Sequence, residues 1–415
     1  DDMRNVVGIE EYNKGESKEI SGFKTLSDKK FEIHFKKFNP GILWGGGIPF
    51  EPVPSHKLKD IPVKEQEAND ITRKNPLSPG PYYIKEIVPG QQVIFEANPY
   101  YYKGQPKVKT VVWKVVPSAQ IVAALQAGEY DLTVSLNADL YNKVKALSNI
   151  KVGVQDDLSY SYIGFKLGKW DKEKGEVITD PNAKMADVKL RQAMAYAIDN
   201  DAVGAKFFQG LRRNATQLMI PAFKEFYDNS LKGYTLDVEK AKQLLKEANY
   251  DASKPLVLTY YYKDQASQDF MQAVSYQLDQ VGIKNEVTQI TSDATTGLFK
   301  TRKYDLGYKG LSSFGYESWY GEYASTNTNF NNITNGDTSF DELTKKLTEA
   351  SDVKERNAIL ADLQKLEQEK LLKLPLFTFK NFLYLNTEKV SIPDDVQFGN
   401  PFYKFDYKFE TWDAK

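Results

Sequence analysis

The chain has 415 residues, 55 Lys plus Arg against 56 Asp plus Glu for a formal net charge of −1, two histidines and no cysteine. Without cysteine there are no disulfides, thiolate nucleophiles or zinc-thiolate sites, and two histidines leave little for His-based metal binding or a Ser/His/Asp triad. Balanced charge argues against a nucleic-acid or anionic-membrane partner, no apolar run is long enough to suggest a transmembrane helix, and at roughly 100 to 200 residues per domain the length suggests two or three domains.

The opening segment ends in a strand pattern, with Phe31, Ile33 and Phe35 alternating with Glu32, His34 and Lys36. This places His34 on a polar, solvated face, and His56 in a loop. Asn39 to Pro54 is dense in breakers around Trp44, Gly45, Gly46 and Gly47. It is either a loop closing over core or one wall of a binding cleft, and it lacks the spaced glycines and Lys-Ser/Thr ending of a phosphate loop. From Gly80 the chain reads turn, strand, strand, helix, the helix capped by Ser118, with Ile121, Ala124 and Leu125 on one face and Gly128 at its end.

Asp187 and Asp237 are predicted to cap two further helices with apolar stripes at Leu190, Ala193, Met194 and Ala197, and at Ala241, Leu244, Leu245 and Ala248. The strand LVLTYYY and the helical pattern QDFMQAVSYQLDQVG follow, then helices over Phe340–Ala350 and from Val353 to about Leu371, then short strands LPLFTF and FLYLN. Strands alternating with helices predict an α/β fold. The loop from Ser312 to Ser339 is rich in Tyr, Trp, Asn, Ser and Thr, which suits a polar ligand with apolar patches, such as a peptide or a sugar. No nucleophile with an orienting base can be named, so no catalytic residue, metal or cofactor is expected.

The segments PLSPGPYYIKEIVPGQQVIFEANPYYYKGQPKVKTVVWKVVP and AALQAGEYDL, followed in order by SYSYIGFKLGKW, DVKLRQAMAYAIDNDAV, VEKAKQLLKEANYD and KTRKYDLGYKG, resemble the extracellular peptide-binding proteins that serve ABC importers. The stretch from Ile163 to Val203 is similar to oligopeptide-binding lipoproteins of Gram-positive bacteria. This resemblance implies a two-lobed α/β clamshell of the periplasmic-binding-protein type, its first lobe incomplete and lacking an N-terminal part of roughly 100 to 200 residues with its lipid anchor. The lobes expected are 1–154, with the end of an extra subdomain, and 387–415 in the first, and 155–386 in the second, with hinges near Gln155–Ser159 and Leu385–Thr387.

The resemblance also implies the function: capture of oligopeptides in an interlobe cleft by a monomeric protein held at the outer face of the membrane, and delivery to the permease subunits of the importer. It nominates Tyr160 and Tyr162 as cleft-lining, or else as packing into the second lobe, together with Gly310, Leu311, Ser312, Ser313, Phe314, Glu317, Trp319 and Tyr320, and Trp44, Gly45 and Gly46 from the first lobe. Relatives carry an aspartate near 312–314 that pairs with the peptide amino terminus; this chain has Ser312, Ser313 or Phe314 there. The alternatives are a carbohydrate-binding or carbohydrate-processing protein, or a family member that takes a peptide pheromone or a nickel complex.

Overall fold

A computed structural model describes residues 5–37, 53–134, 136–312, 316–325, 336–350, 352–392 and 408–415, with only the backbone described at 155, 176, 295, 299, 300, 312 and 316–318. Contacts divide the chain into two compact units, Asp1–Pro49 with Asp156–Lys380 (unit 1) and Phe50–Gln155 with Asn381–Lys415 (unit 2). The sequence reading drew its breaks at 154/155 and 386/387 and placed the first 49 residues in the other lobe. In the structure those residues group with unit 1, where Lys37 Nζ lies 3.8 Å from Glu349 Oε1.

Unit 1 opens with α1 (Ile9–Asn13) and the hairpin of β1 (Phe23–Ser27) and β2 (Lys30–Ile33). Phe31 is exposed here, against its predicted place on an apolar face, since a two-stranded hairpin offers little to bury a face against. His34 is solvated, beside Glu32 at 3.1 Å. In unit 2 the short helices α2 (Ser55–Leu58), α3 (Val63–Gln66) and α4 (Asp70–Arg73) lead to an antiparallel sheet of β3 (Tyr82–Val88), β4 (Gln92–Ala97) and β5 (Thr110–Lys114). His56 falls in α2 rather than in a loop.

Helix α5 (Ser118–Gln126) begins one residue earlier than Ser118 as cap would allow: Pro117 holds the cap position and no side chain caps the helix. Gly128, at φ 68°, follows its end in the left-handed conformation that glycine adopts without strain. Strand β6 (Leu132–Val134) and helix α6 (Ala138–Lys145) complete this part, and Ile121, Leu125, Leu140, Val144, Ile150 and Tyr384 form a core cluster in unit 2.

Strand β7 (Ile150–Phe165) carries the chain from unit 2 into unit 1, where β8 (Gly168–Asp171) and β9 (Glu176–Thr179) form a hairpin. Then come α7 (Val188–Ala197), α8 (Asn200–Phe208), β10 (Arg213–Asn214), α9 (Val238–Glu247), β11 (Leu256–Tyr260), α10 (Gln265–Gln280), β12 (Asn285–Gln289), a π-helical turn (Thr295–Thr301) and β13 (Leu306–Ser312). Helices α11 (Tyr316–Gly321), α12 (Asp341–Glu349) and α13 (Val353–Lys370) precede β14 (Lys373–Asn386), which returns the chain to unit 2, where β15 (Val390–Ser391) pairs with β16 (Asp413–Ala414). LPLFTF and FLYLN are therefore one strand, and no breaker marks the unit boundary inside it.

Two of the three predicted caps are in place. Asp187 accepts from Lys189 N at 2.8 Å and Asp237 from Lys240 N at 2.9 Å, each worth about 1 kcal/mol of helix stability. The main sheet runs β12-β11-β13-β7-β14-β10, with β6 added to β14. Strand β11 is parallel to both β12 and β13, while β13 is antiparallel to β7 with Leu306 opposite Phe165 and Ser312 opposite Ser159. The carboxyl ends of β11 and β13 therefore lie at the end of the sheet where β7 enters unit 1.

Candidate functional site

From β11 the chain passes through α10 to β12 on one side, then through the π-helical turn to β13 on the other side of β11. Such a reversal is a topological switch point, and in open α/β sheets the crevice outside the carboxyl ends of the two strands is the usual ligand position. Tyr261 and Tyr262 follow β11 at this point, their rings stacked at 4.4 Å, and Ser312 ends β13. A Cβ on Gly310 would stand 2.7 Å from the Tyr262 hydroxyl, so the tip of that ring lies over β13 where a larger residue would have to displace it.

On the face of β13 opposite Gly310 and Tyr262, the strands β7, β13 and β14 carry a buried polar cluster. Tyr160 and Tyr162 alternate along β7 and so share a face, and Lys309 stands opposite Tyr162 on β13. Lys373 Nζ donates to Tyr160 Oη at 2.8 Å and to Glu322 Oε2 at 3.3 Å. It lies 4.8 to 5.2 Å from the ring centres of Tyr160, Tyr162 and Tyr323, where a desolvated cation gains about 2 kcal/mol from the ring quadrupole. Glu367, from α13, accepts from Leu218 N at 2.8 Å and from the Tyr320 hydroxyl at 3.1 Å. Trp319 closes the cluster edge-on to Tyr160 and Phe223. Arg191, spending its guanidinium on the carbonyls of Met185, Ala186, Lys370 and Leu371, holds the α13–β14 junction that sets Lys373 in position.

Burial dominates the titration of this cluster. Desolvation pushes Glu322 up and Lys373 down, and their mutual attraction opposes both shifts. Desolvation, with Lys373 adding repulsion, pulls Lys309 down to about 7, and desolvation raises Glu367 to about 7. The sign follows for each. Between the ordinary carboxyl value of 4.5 and about 7 the fold keeps a Glu367 proton that the unfolded chain has released, so stability falls as pH rises. Between about 7 and the ordinary amine value of 10.5 the fold has shed the Lys309 proton that the unfolded chain keeps, so stability rises with pH. The cluster is therefore expected to contribute least near pH 7. Thermal midpoints of wild type, Glu367→Gln and Lys309→Met across this range check it: the first variant should flatten the acid-side fall and the second the alkaline-side rise, and unchanged slopes in both would refute the assignment.

The nominated residues fall into three groups. Tyr160, Tyr162, Trp319 and Tyr320 come together around the buried cluster, each at most 2% exposed, and among the described residues their partners lie in unit 1. Gly310, Leu311 and Ser312 form the end of β13, the first two half-buried. Glu317 belongs to α11, where its backbone alone is described, and Trp44, Gly45, Gly46, Ser313 and Phe314 lie outside the described residues.

Sequence reading did not nominate Lys309, Glu322, Glu367 or Lys373. Two of them left a signal: Lys373 interrupts the apolar run LLKLPLF, and Glu367 falls on the helical stripe of Leu360, Leu363 and Gln364, all buried. Among the described residues no group of three or more His, Cys, Asp or Glu side chains is placed to hold a metal ion, and no helix is long and apolar enough to cross a membrane.

Residues 3–341 match the bacterial extracellular solute-binding proteins, family 5 middle, and the chain belongs to this family. It is 35% identical over 261 residues to the oligopeptide-binding protein OppA of Lactococcus lactis subsp. lactis (strain IL1403), covering 61% of this chain and 43% of that protein, so the match spans less than half of the relative's length. It is 25% identical over 406 residues to the oligopeptide-binding protein AppA of Bacillus subtilis (strain 168), covering 92% of this chain and 70% of the other. Its structure superposes on lactococcal OppA complexed with an endogenous peptide in the closed conformation with a TM-score of 0.80 at 25% identity, covering 97% of this chain and 79% of that one.

Proposed function

We propose that this chain is the substrate-binding part of an ABC importer, capturing oligopeptides outside the cell and delivering them to a membrane permease, as a monomer, without catalysis, and anchored to the membrane through a lipid. The observation that carries this reading is the similarity to the lactococcal and Bacillus oligopeptide-binding proteins, joined to a switch point in the chain's own sheet. Capture tolerant of sequence works when an extended peptide pairs its backbone N–H and C=O groups with protein backbone and leaves its side chains in wet pockets. In this reading the carboxyl ends of β11 and β13 meet the ligand, while Tyr160, Tyr162, Trp319 and Tyr320 support the sheet behind them. Mass spectrometry of what co-purifies, released by denaturing the protein, tests it: peptides support the reading, and a glycan or a nickel complex overturns it.

The family aspartate for the peptide amino terminus has no counterpart at Ser312, Ser313 or Phe314. Desolvating an ammonium without a carboxylate is costly, so the terminus is expected to stay solvated or blocked while neutral backbone is bound. One captured peptide, titrated with a free and with an acetylated amino terminus, should bind with near-equal affinity. A loss of more than about tenfold on acetylation, abolished by Glu317→Gln, would instead identify Glu317 as a substitute partner.

A further inference from the structure

The loop between α8 and β10 brings Arg212 to the same end of the sheet as the crevice. Its guanidinium carbon lies 3.4 Å from the ring centre of Phe208 and 4.9 Å from that of Phe379 on β14, and Nη1 donates to the Tyr308 hydroxyl of β13 at 2.7 Å. Tyr308 in turn packs at 5.1 Å against Tyr262, the ring that follows β11. Phe208 and Tyr308 are buried, whereas Arg212, Phe379 and Tyr262 are half-buried, so the guanidinium is held on buried rings and keeps part of its own surface in contact with solvent.

Among the described residues no carboxylate forms an ion pair with Arg212. Asp264, whose charge reaches Tyr308, is committed to capping α10 through Ser267 N at 2.9 Å. Arginine offers five N–H donors in a planar fork, and among the described residues only one of them has a protein partner here. A guanidinium laid flat on a ring, with one edge already hydrogen-bonded, has lost part of its hydration and its rotamer freedom before any ligand arrives. That is the preorganisation a bidentate carboxylate contact exploits.

We propose that Arg212 receives a carboxylate of the bound ligand, either the carboxyl terminus of a peptide or an acidic side chain within it. This rests on the switch-point crevice being the ligand site. It assigns a charged selectivity to one edge of a site that otherwise reads neutral backbone.

The test uses a tryptic digest of casein. Peptides retained by the wild-type protein are identified and resynthesised as the free acid, as the carboxyl-terminal amide, and with acidic side chains replaced by their amides. One amide form should bind wild type at least about tenfold more weakly than the free acid, which tells terminus from side chain, and Arg212→Met should erase that difference. Arg212→Lys keeps the charge without the fork and should retain only part of it, and it serves as the second variant if the first fails to fold. Equal binding of all three forms by wild type, or a preference that survives Arg212→Met, overturns the proposal. If wild type retains no peptide, the peptide reading falls. The carboxylate site is then judged by phenylglyoxal modification: glutarate should slow modification of Arg212 relative to exposed Arg213, and no protection would overturn the site as well.

Discussion

Lys373→Met is expected to lower folding stability by about 3–5 kcal/mol, because among the described residues it leaves the buried Glu322 carboxylate only the Tyr160 hydroxyl, 3.5 Å away, as a hydrogen-bond partner. The pair itself is a poor net stabiliser, since both ions lose their hydration on folding. Lys373→Met combined with Glu322→Gln should therefore recover most of the loss. In the single variant Glu322 can escape by taking up a proton, so the deficit should be smaller at pH 5 than at pH 8, the direction in which burial already moves this carboxyl group. Urea midpoints at unchanged m-value measure all three effects. A single variant within about 1 kcal/mol of wild type, or a double variant worse than the single, would show that the three groups do not act as a unit.

Trp319→Ala should cost a similar amount, about 3–5 kcal/mol, through the cavity it opens between β7 and the segment around Phe223. Trp319 is wholly buried, with its ring edge-on to Tyr160 at 6.2 Å and to Phe223 at 5.4 Å. Sequence reading left this residue as a flat wall for ligand side chains or as core. Its enclosure by Tyr160 and Phe223 makes stability the quantity expected to move. Denaturation midpoints should fall, while the affinity of the folded fraction for a captured peptide should change by less than about threefold, a shift well below that of a truncated aromatic anchor. A loss of about thirtyfold in affinity with stability intact would reverse the assignment and return Trp319 to the ligand.

The helices and strands of unit 1 were legible because their signals are local. Asp187 and Asp237 cap the helices they were expected to cap, and the apolar stripes behind them are buried except for the half-buried Ala248. The failures are equally local in cause. Pro117 displaced Ser118 from the cap position, and Phe31 alternates correctly on a hairpin that has no second layer to cover it. Of the site, the sequence marked the aromatic residues at Tyr160, Tyr162, Trp319 and Tyr320 and the glycine at Gly310, and it passed over the charges that hold the aromatics in place.

The sequence by itself determined an α/β chain, its capped helices and the ordered segments that tie it to peptide-binding relatives, because propensity, capping and periodicity act within a few residues of one another. Which strands lie side by side was settled only in three dimensions. So was the reversal at β11 that makes a switch point between Tyr262 and Ser312, and so was the meeting of Lys373 with Tyr160 across a separation of 213 residues. Those choices follow from which apolar faces bury together and which buried charges then find partners, and that free energy does not exist until the sheet has formed.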